Sequence, residues 1–202
     1  MSSSQQLLEL EDLDIEDIDI FPTEVFDVET SIRQAKSILM DIENENYDYR
    51  YRSDGFLYED NVWSFTHTLL QNSVLFDFEN IHSYFASSNP KISKIINDVV
   101  KCWSCDITNN YSPKTAAKFL NKLKVAMQSS SGFTKENAYE FITNLNDRLI
   151  VINGKTVPLT DSALHSIMLS LNNFYEYFPF EELEYYIDQF QYIRQPELKK
   201  KY

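Results

Sequence analysis

Apolar residues recur at helical spacing along most of the chain. Ile32, Ala35, Ile38, Leu39 and Ile42 fall on one face of a helix predicted over about 29–43. Beyond the Pro90 break, Ile92, Ile95, Ile96, Val99 and Val100 do the same over about 91–104. Ser112-Pro113 supplies an N-cap side chain and a first-turn proline. The helix that follows, to about Ser129, sets Ala116, Leu120, Leu123 and Met127 on one stripe. Thr134 is placed to cap a second helix ending near Arg148, with Ala138, Phe141, Ile142 and Leu145 inward. Thr160 opens a third, to about Phe178, burying Ala163, Ile167, Leu171, Phe174 and Phe178, and after Pro179 a fourth runs from about Glu181 to Ile193. Between the second and third helices, LIVINGKTVPL reads as a two-stranded hairpin turned at Asn153-Gly154.

Three stretches break this rhythm. Residues 5–20 alternate apolar and acidic side chains at a density of like charge that opposes packing, so the segment reads as a flexible acidic arm. Its role is either solubilising or that of a segment that orders on a partner. Residues 44–60 are polar, tyrosine-rich and irregular. Then Trp63, Phe65, Leu69, Leu70, Leu75, Phe76, Phe78 and Ile81 supply an aromatic cluster expected in the core. The expected fold is mainly α: a helical bundle with a small β-hairpin, preceded by a helical region and the arm. Four divisions follow: the arm at 1–28, an aromatic-rich helical N-terminal region at 29–105, a four-helix bundle at 106–195 and a basic tail at 196–202.

Composition supports helices. Of 202 residues 43% are apolar, yet only three are glycine, too few for a many-turned β protein. No run of 18 apolar residues and no secretory leader are present, and two cysteines make no disulfide framework, so a cytoplasmic protein without a membrane role is expected. The net charge of −13 argues against nucleic acid until its distribution is read. Residues 1–60 hold 17 acidic and 4 basic side chains, whereas 91–155 hold ten basic and five acidic ones. The overall acidity therefore belongs to the arm's end of the chain and leaves room for a phosphate-facing surface.

Candidate chemistry is sparse. Cys102 and Cys105 in CWSC have the spacing of a redox pair or half a zinc site, but sit near a predicted helix C-terminus and lack a second ligand pair; buried thiols are expected. No nucleophile elbow, phosphate-cradling glycine loop or HExxH occurs, and no cofactor, metal or small-molecule substrate is expected. Lys114, Lys118 and Lys122, spaced i, i+4, i+8, line one face of a helix, with Lys124 and, upstream, Lys91, Lys94 and Lys101. Either this is a solvated face or it holds phosphates.

The runs NNYSPKTAAKFLNKLKVAM, FTKENAYEFITNLNDR and LTDSALHSIMLSLNNFYEYF, in that order, resemble the core-binding (SAM-like) domain of tyrosine recombinases, the phage-integrase family. The resemblance covers roughly 90–195. It rests on Tyr111, Ser112 and Thr115 at the first helix, on Thr134 at the second, and on Leu171, Phe174, Tyr175 and Tyr177 at the end of the third. The upstream run VWSF…VLFDFENIHSYF looks like the region preceding this domain in some integrase-like proteins. The resemblance implies an orthogonal SAM-like bundle forming half of a DNA clamp. Lys114, Thr115, Lys118 and Lys122 would contact phosphates, and Ser162, His165, Ser166 and Leu169 would approach the major groove. Positions where the family is commonly basic hold Ser166, Ile167 and Asn172 here. The family's catalytic His-x-x-Arg is absent and Tyr202 has no partners, so a non-catalytic DNA-binding module associated with integration or recombination is expected. The alternative is an interaction module that binds a full-length recombinase or similar partner through the bundle and the arm. A decayed fragment without a role is the third reading.

Overall fold

The computed structural model describes residues 26–43 and 50–194. The acidic stretch 5–20 and the lysines of the basic tail lie outside the described residues. Helix α1 (Val28–Glu43) starts at Asp27, whose carboxylate accepts hydrogen bonds from Thr30 N (3.1 Å) and Thr30 Oγ1 (2.6 Å). It buries Ala35 and Ile42 and packs on the central helix α3.

The aromatic segment is not helical, as the sequence reading had it, but a three-stranded antiparallel sheet in the order β1 (Tyr51–Ser53), β2 (Val62–His67), β3 (Ser73–Asp77). The physical reason is a period of two. Trp63 and Phe65 point into the core and Val62 and Ser64 away from it, while Trp63 pairs across the ladder with Phe76. Aromatic rings fill that face: Phe78 meets Trp63 edge-on at 4.6 Å and Phe56 stacks on Trp63 at 5.3 Å.

A short helix α2 (Ile81–Phe85) leads to α3 (Pro90–Asn110), which is buried on nearly every side between Val99 and Thr108. The apolar spacing predicts an end to this helix near 104. It continues because Cys105, Ile107 and Thr108 extend the buried face and the Thr108 hydroxyl donates back to Ser104 O at 2.5 Å. Ser112, preceding Pro113, is forced out of helical geometry and begins the next element. The expected division between 105 and 106 thus falls inside a continuous helix. One hydrophobic cluster takes residues from both sides of it, from Ala35 to Ile193.

Helix α4 (Pro113–Ser129), α5 (Lys135–Asn146), the strands β4 (Leu149–Ile152) and β5 (Lys155–Pro158), α6 (Asp161–Tyr177) and α7 (Glu181–Gln189) follow, closed by a 3-10 turn at Phe190–Tyr192. The hairpin forms where Asn153-Gly154 requires it, with φ of 52° and 71°, the two positive values a tight type I′ turn needs. Thr134 occupies the cap position of α5 but makes no side-chain cap bond, and its buried hydroxyl oxygen has no partner among the described residues. The turn into α5 is held instead by Ser130 Oγ, which accepts from Phe133 N at 3.1 Å. The molecule is mainly helical with small antiparallel sheets. Among the described residues no helix is long and apolar enough to cross a membrane.

Candidate nucleic-acid interface

Helix α4 is built to show lysines on one side. Ser112 Oγ accepts from Thr115 N at 3.4 Å, fixing the first turn, and Ala116, Ala117, Leu120, Leu123, Ala126 and Met127 bury the opposite side. This burial leaves Lys114 and Lys118 exposed and Lys122 and Thr115 half-buried at its margin. Two i, i+4 steps at 1.5 Å per residue spread the three lysines over about 12 Å of helix axis. No acidic residue lies anywhere between Asp106 and Glu136, and none of the three lysines forms an ion pair with another described residue.

That stripe is maintained against local stability. Like charges at i, i+4 each cost about 0.2–0.5 kcal/mol. Lys114 sits in the first turn, where the macrodipole disfavours a cation, and no first-turn acid compensates it.

The upstream lysines divide. Lys101 is buried, with Nζ donating to Tyr58 O (2.9 Å) and Glu59 O (3.2 Å) and lying over the Tyr58 ring. Desolvation lowers its pKa, opposed by the nearby carboxylates of Asp98, Glu59 and Asp60. It is a strut between α3 and the loop before β2. Its place in the largely apolar run Val99 to Cys105 fits burial but does not name these partners. Lys124 is diverted as well, donating at 2.7 Å to both the carboxylate and the carbonyl of Asp77. Lys91 and Lys94 stay exposed on the first turns of α3.

Helix α6 packs directly on α4, and Ser170 Oγ donates to Phe119 O at 2.7 Å across the contact. The second group of candidate residues therefore stands on the neighbouring helix. Thr160 Oγ1 caps α6 by accepting from Ala163 N, and Ser162 and His165 are exposed on its first turns. Ser166 is half-buried and its hydroxyl donates to Ser162 O at 2.7 Å, so it is committed to its own helix. Leu169 is exposed. The one acid at the start of α6, Asp161, is held by Arg148 Nε at 2.7 Å. Tyr111, read from the sequence only as part of the Tyr-Ser-x-x-Thr turn, stacks on Phe119 beside the lysine face.

The cysteines are core groups. Both are free and buried, burial pushes Cys102 up to about 11 and holds Cys105 well above the ordinary thiol value, and Cys102 meets the Tyr58 hydroxyl at 3.6 Å. Among the described residues no three His, Cys, Asp or Glu side chains converge as metal ligands.

No protein-family model, no curated protein and no solved structure matches the chain.

Proposed function

We propose that this chain is a non-catalytic module that grips duplex DNA along the lysine face of α4, with α6 beside it. The observation that carries the reading is an acid-free helix on which Lys114 and Lys118 are exposed and Lys122 half-exposed, none with a described counter-charge. Ammonium groups on successive turns neutralise phosphates and release condensed counterions, which supplies sequence-independent affinity. Base readout from α6 is thin, because Ser166 is spent on its own helix and His165 is the one basic side chain of α6. The order of α4, α5, hairpin and α6, with caps at Ser112 and Thr160, supports assigning the bundle to the core-binding, SAM-like type and its setting to DNA integration or recombination.

The test is fluorescence anisotropy of a labelled 25-base-pair duplex at about 50 mM salt, where phosphate contacts dominate. The triple variant K114A/K118A/K122A is expected to bind at least tenfold more weakly for any duplex sequence, at about 0.5 kcal/mol or more per lost contact. Because the stripe opposes helix stability, the variant is expected to unfold at the same temperature or higher. Equal affinity of wild type and variant ends the proposal.

A further inference from the structure

A second surface, formed where α5 packs on α7, carries a different chemistry. Tyr139, Tyr192 and Tyr185 are 84%, 66% and 42% exposed. The three line one open cavity of about 300 Å³, with Ile142 among its apolar walls and Asp147 its single charged lining group. Elsewhere in the molecule aromatic rings pack against one another, as Phe133 does on Tyr186 at 5.3 Å. None of these three tyrosines pairs with another described ring, and no described cation sits over them. The cavity wall is fixed: Asn146 Oδ1 accepts from Arg194 N at 2.9 Å, holding the turn that carries Tyr192 against α5. Glu140, Glu184 and Asp188 are exposed on the same two helices, and the one lysine of α5 and α7, Lys135, is paired with Glu181. Of the two arginines that flank the cavity, Arg148 is committed to Asp161 and to the carbonyls of Asn146 and Arg194.

Aromatic faces around one carboxylate select a cation with an apolar stem. Ring quadrupoles attract the charged head, Asp147 pairs with it, and Ile142 and the ring edges cover methylene groups. An anion would be repelled, and a neutral apolar ligand has no use for the carboxylate. We infer that this cavity binds a lysine or arginine side chain presented by a partner protein, making the α5–α7 face a docking site for a basic segment. The inference stands apart from the α4 face and does not depend on DNA binding.

The experiment is an anisotropy titration of the full chain with a fluorescein-labelled Ala-Lys-Ala-Lys-Ala amide and its norleucine counterpart, which keeps the stem and removes the charge. The lysine peptide is expected to bind about tenfold more tightly than the norleucine peptide, and Asp147→Asn and Y139A/Y185A are each expected to weaken it about fivefold or more. The double variant E29Q/D41N, which removes the same kind of charge from α1, is expected to change affinity less than about twofold. Equal binding of both peptides overturns the inference. So does wild-type binding by the Tyr139/Tyr185 variant, or an equal loss in the α1 variant, which would reduce the effect to net charge. A gain of about fivefold in K199A/K200A/K201A would assign the cavity to the chain's own lysines and overturn the partner reading as well.

Discussion

Gly132 stands at φ +74°, and a Cβ there would lie 2.4 Å from the Tyr84 carbonyl oxygen. That oxygen is backbone, so it has no rotamer into which to retreat. Gly55 shares the left-handed conformation, at φ +80°, with nothing within 4 Å. The comparison separates backbone strain from collision. Gly55→Ala is expected to cost about 1–2 kcal/mol in urea unfolding, the left-handed penalty alone, and Gly132→Ala about 3 kcal/mol or more. Equal costs would mean that the turn yields and the close approach is not structural. The neighbouring Phe133 shows why the turn matters: at φ 64° it swings its ring into the core against Phe85, Phe180 and Tyr186. Individual residues of the candidate sites were unequally legible. The stripe of Lys114, Lys118 and Lys122 is visible in spacing alone. The capture of Lys101 by two carbonyls is not, because those carbonyls lie some forty positions away in the chain.

Among the elements, α4, α6 and the 149–158 hairpin were readable because their punctuation is local: Ser112-Pro113, Thr160 and Asn153-Gly154 each satisfy or dictate backbone geometry within a few residues. The sheet β1–β3 was not read, since its hydrophobic run carries only two clean alternations, Trp63 and Phe65, before the turn at 68–72. Its ladder depends on pairing with Phe76 and Val74, which a periodicity count along one strand does not contain. The junction of this sheet with α4 is the pair of Lys124 with Asp77. Burial pushes the Asp77 carboxyl up, but hydrogen bonds from Lys124 and Glu79 N outweigh it and hold the group below its ordinary 3.8. A carboxyl lowered on folding stabilises above its unfolded pKa and loses that contribution as pH falls through the lower, folded value. Asp77→Asn is therefore expected to cost about 0.5–1 kcal/mol at pH 7, modest because the side chain is 50% exposed. The difference from wild type should close in urea titrations as the pH is carried below the ordinary carboxyl range. A pH-independent difference would mean that the contact works by packing alone.

Over the whole molecule, charge is separated along the chain more sharply than composition suggests. The first 25 residues carry eight acidic side chains and no basic one, and the first basic residue is Arg33. Any phosphate approaching α4 meets the summed field of both. Deleting residues 1–25 is expected to tighten duplex binding severalfold at low salt and to change it little at high salt, as measured by anisotropy. Unchanged low-salt affinity would mean that the arm's field does not reach the site. The deletion must stop before Phe26, whose ring packs on Tyr177 and Phe178 at 5.6 and 5.1 Å, and before α1, which covers α3. A cut at residue 60 would strip α1 and β1 from the single core.

The salt dependence of that binding reads out the phosphate contacts of α4 themselves. Each phosphate neutralised contributes about 0.9 to the slope of log K against log salt. If Lys114, Lys118 and Lys122 each neutralise one, the slope for K114A/K118A/K122A is shallower than that of the wild-type chain by about 2.7. Parallel lines for the two proteins would contradict the account, whatever the affinities.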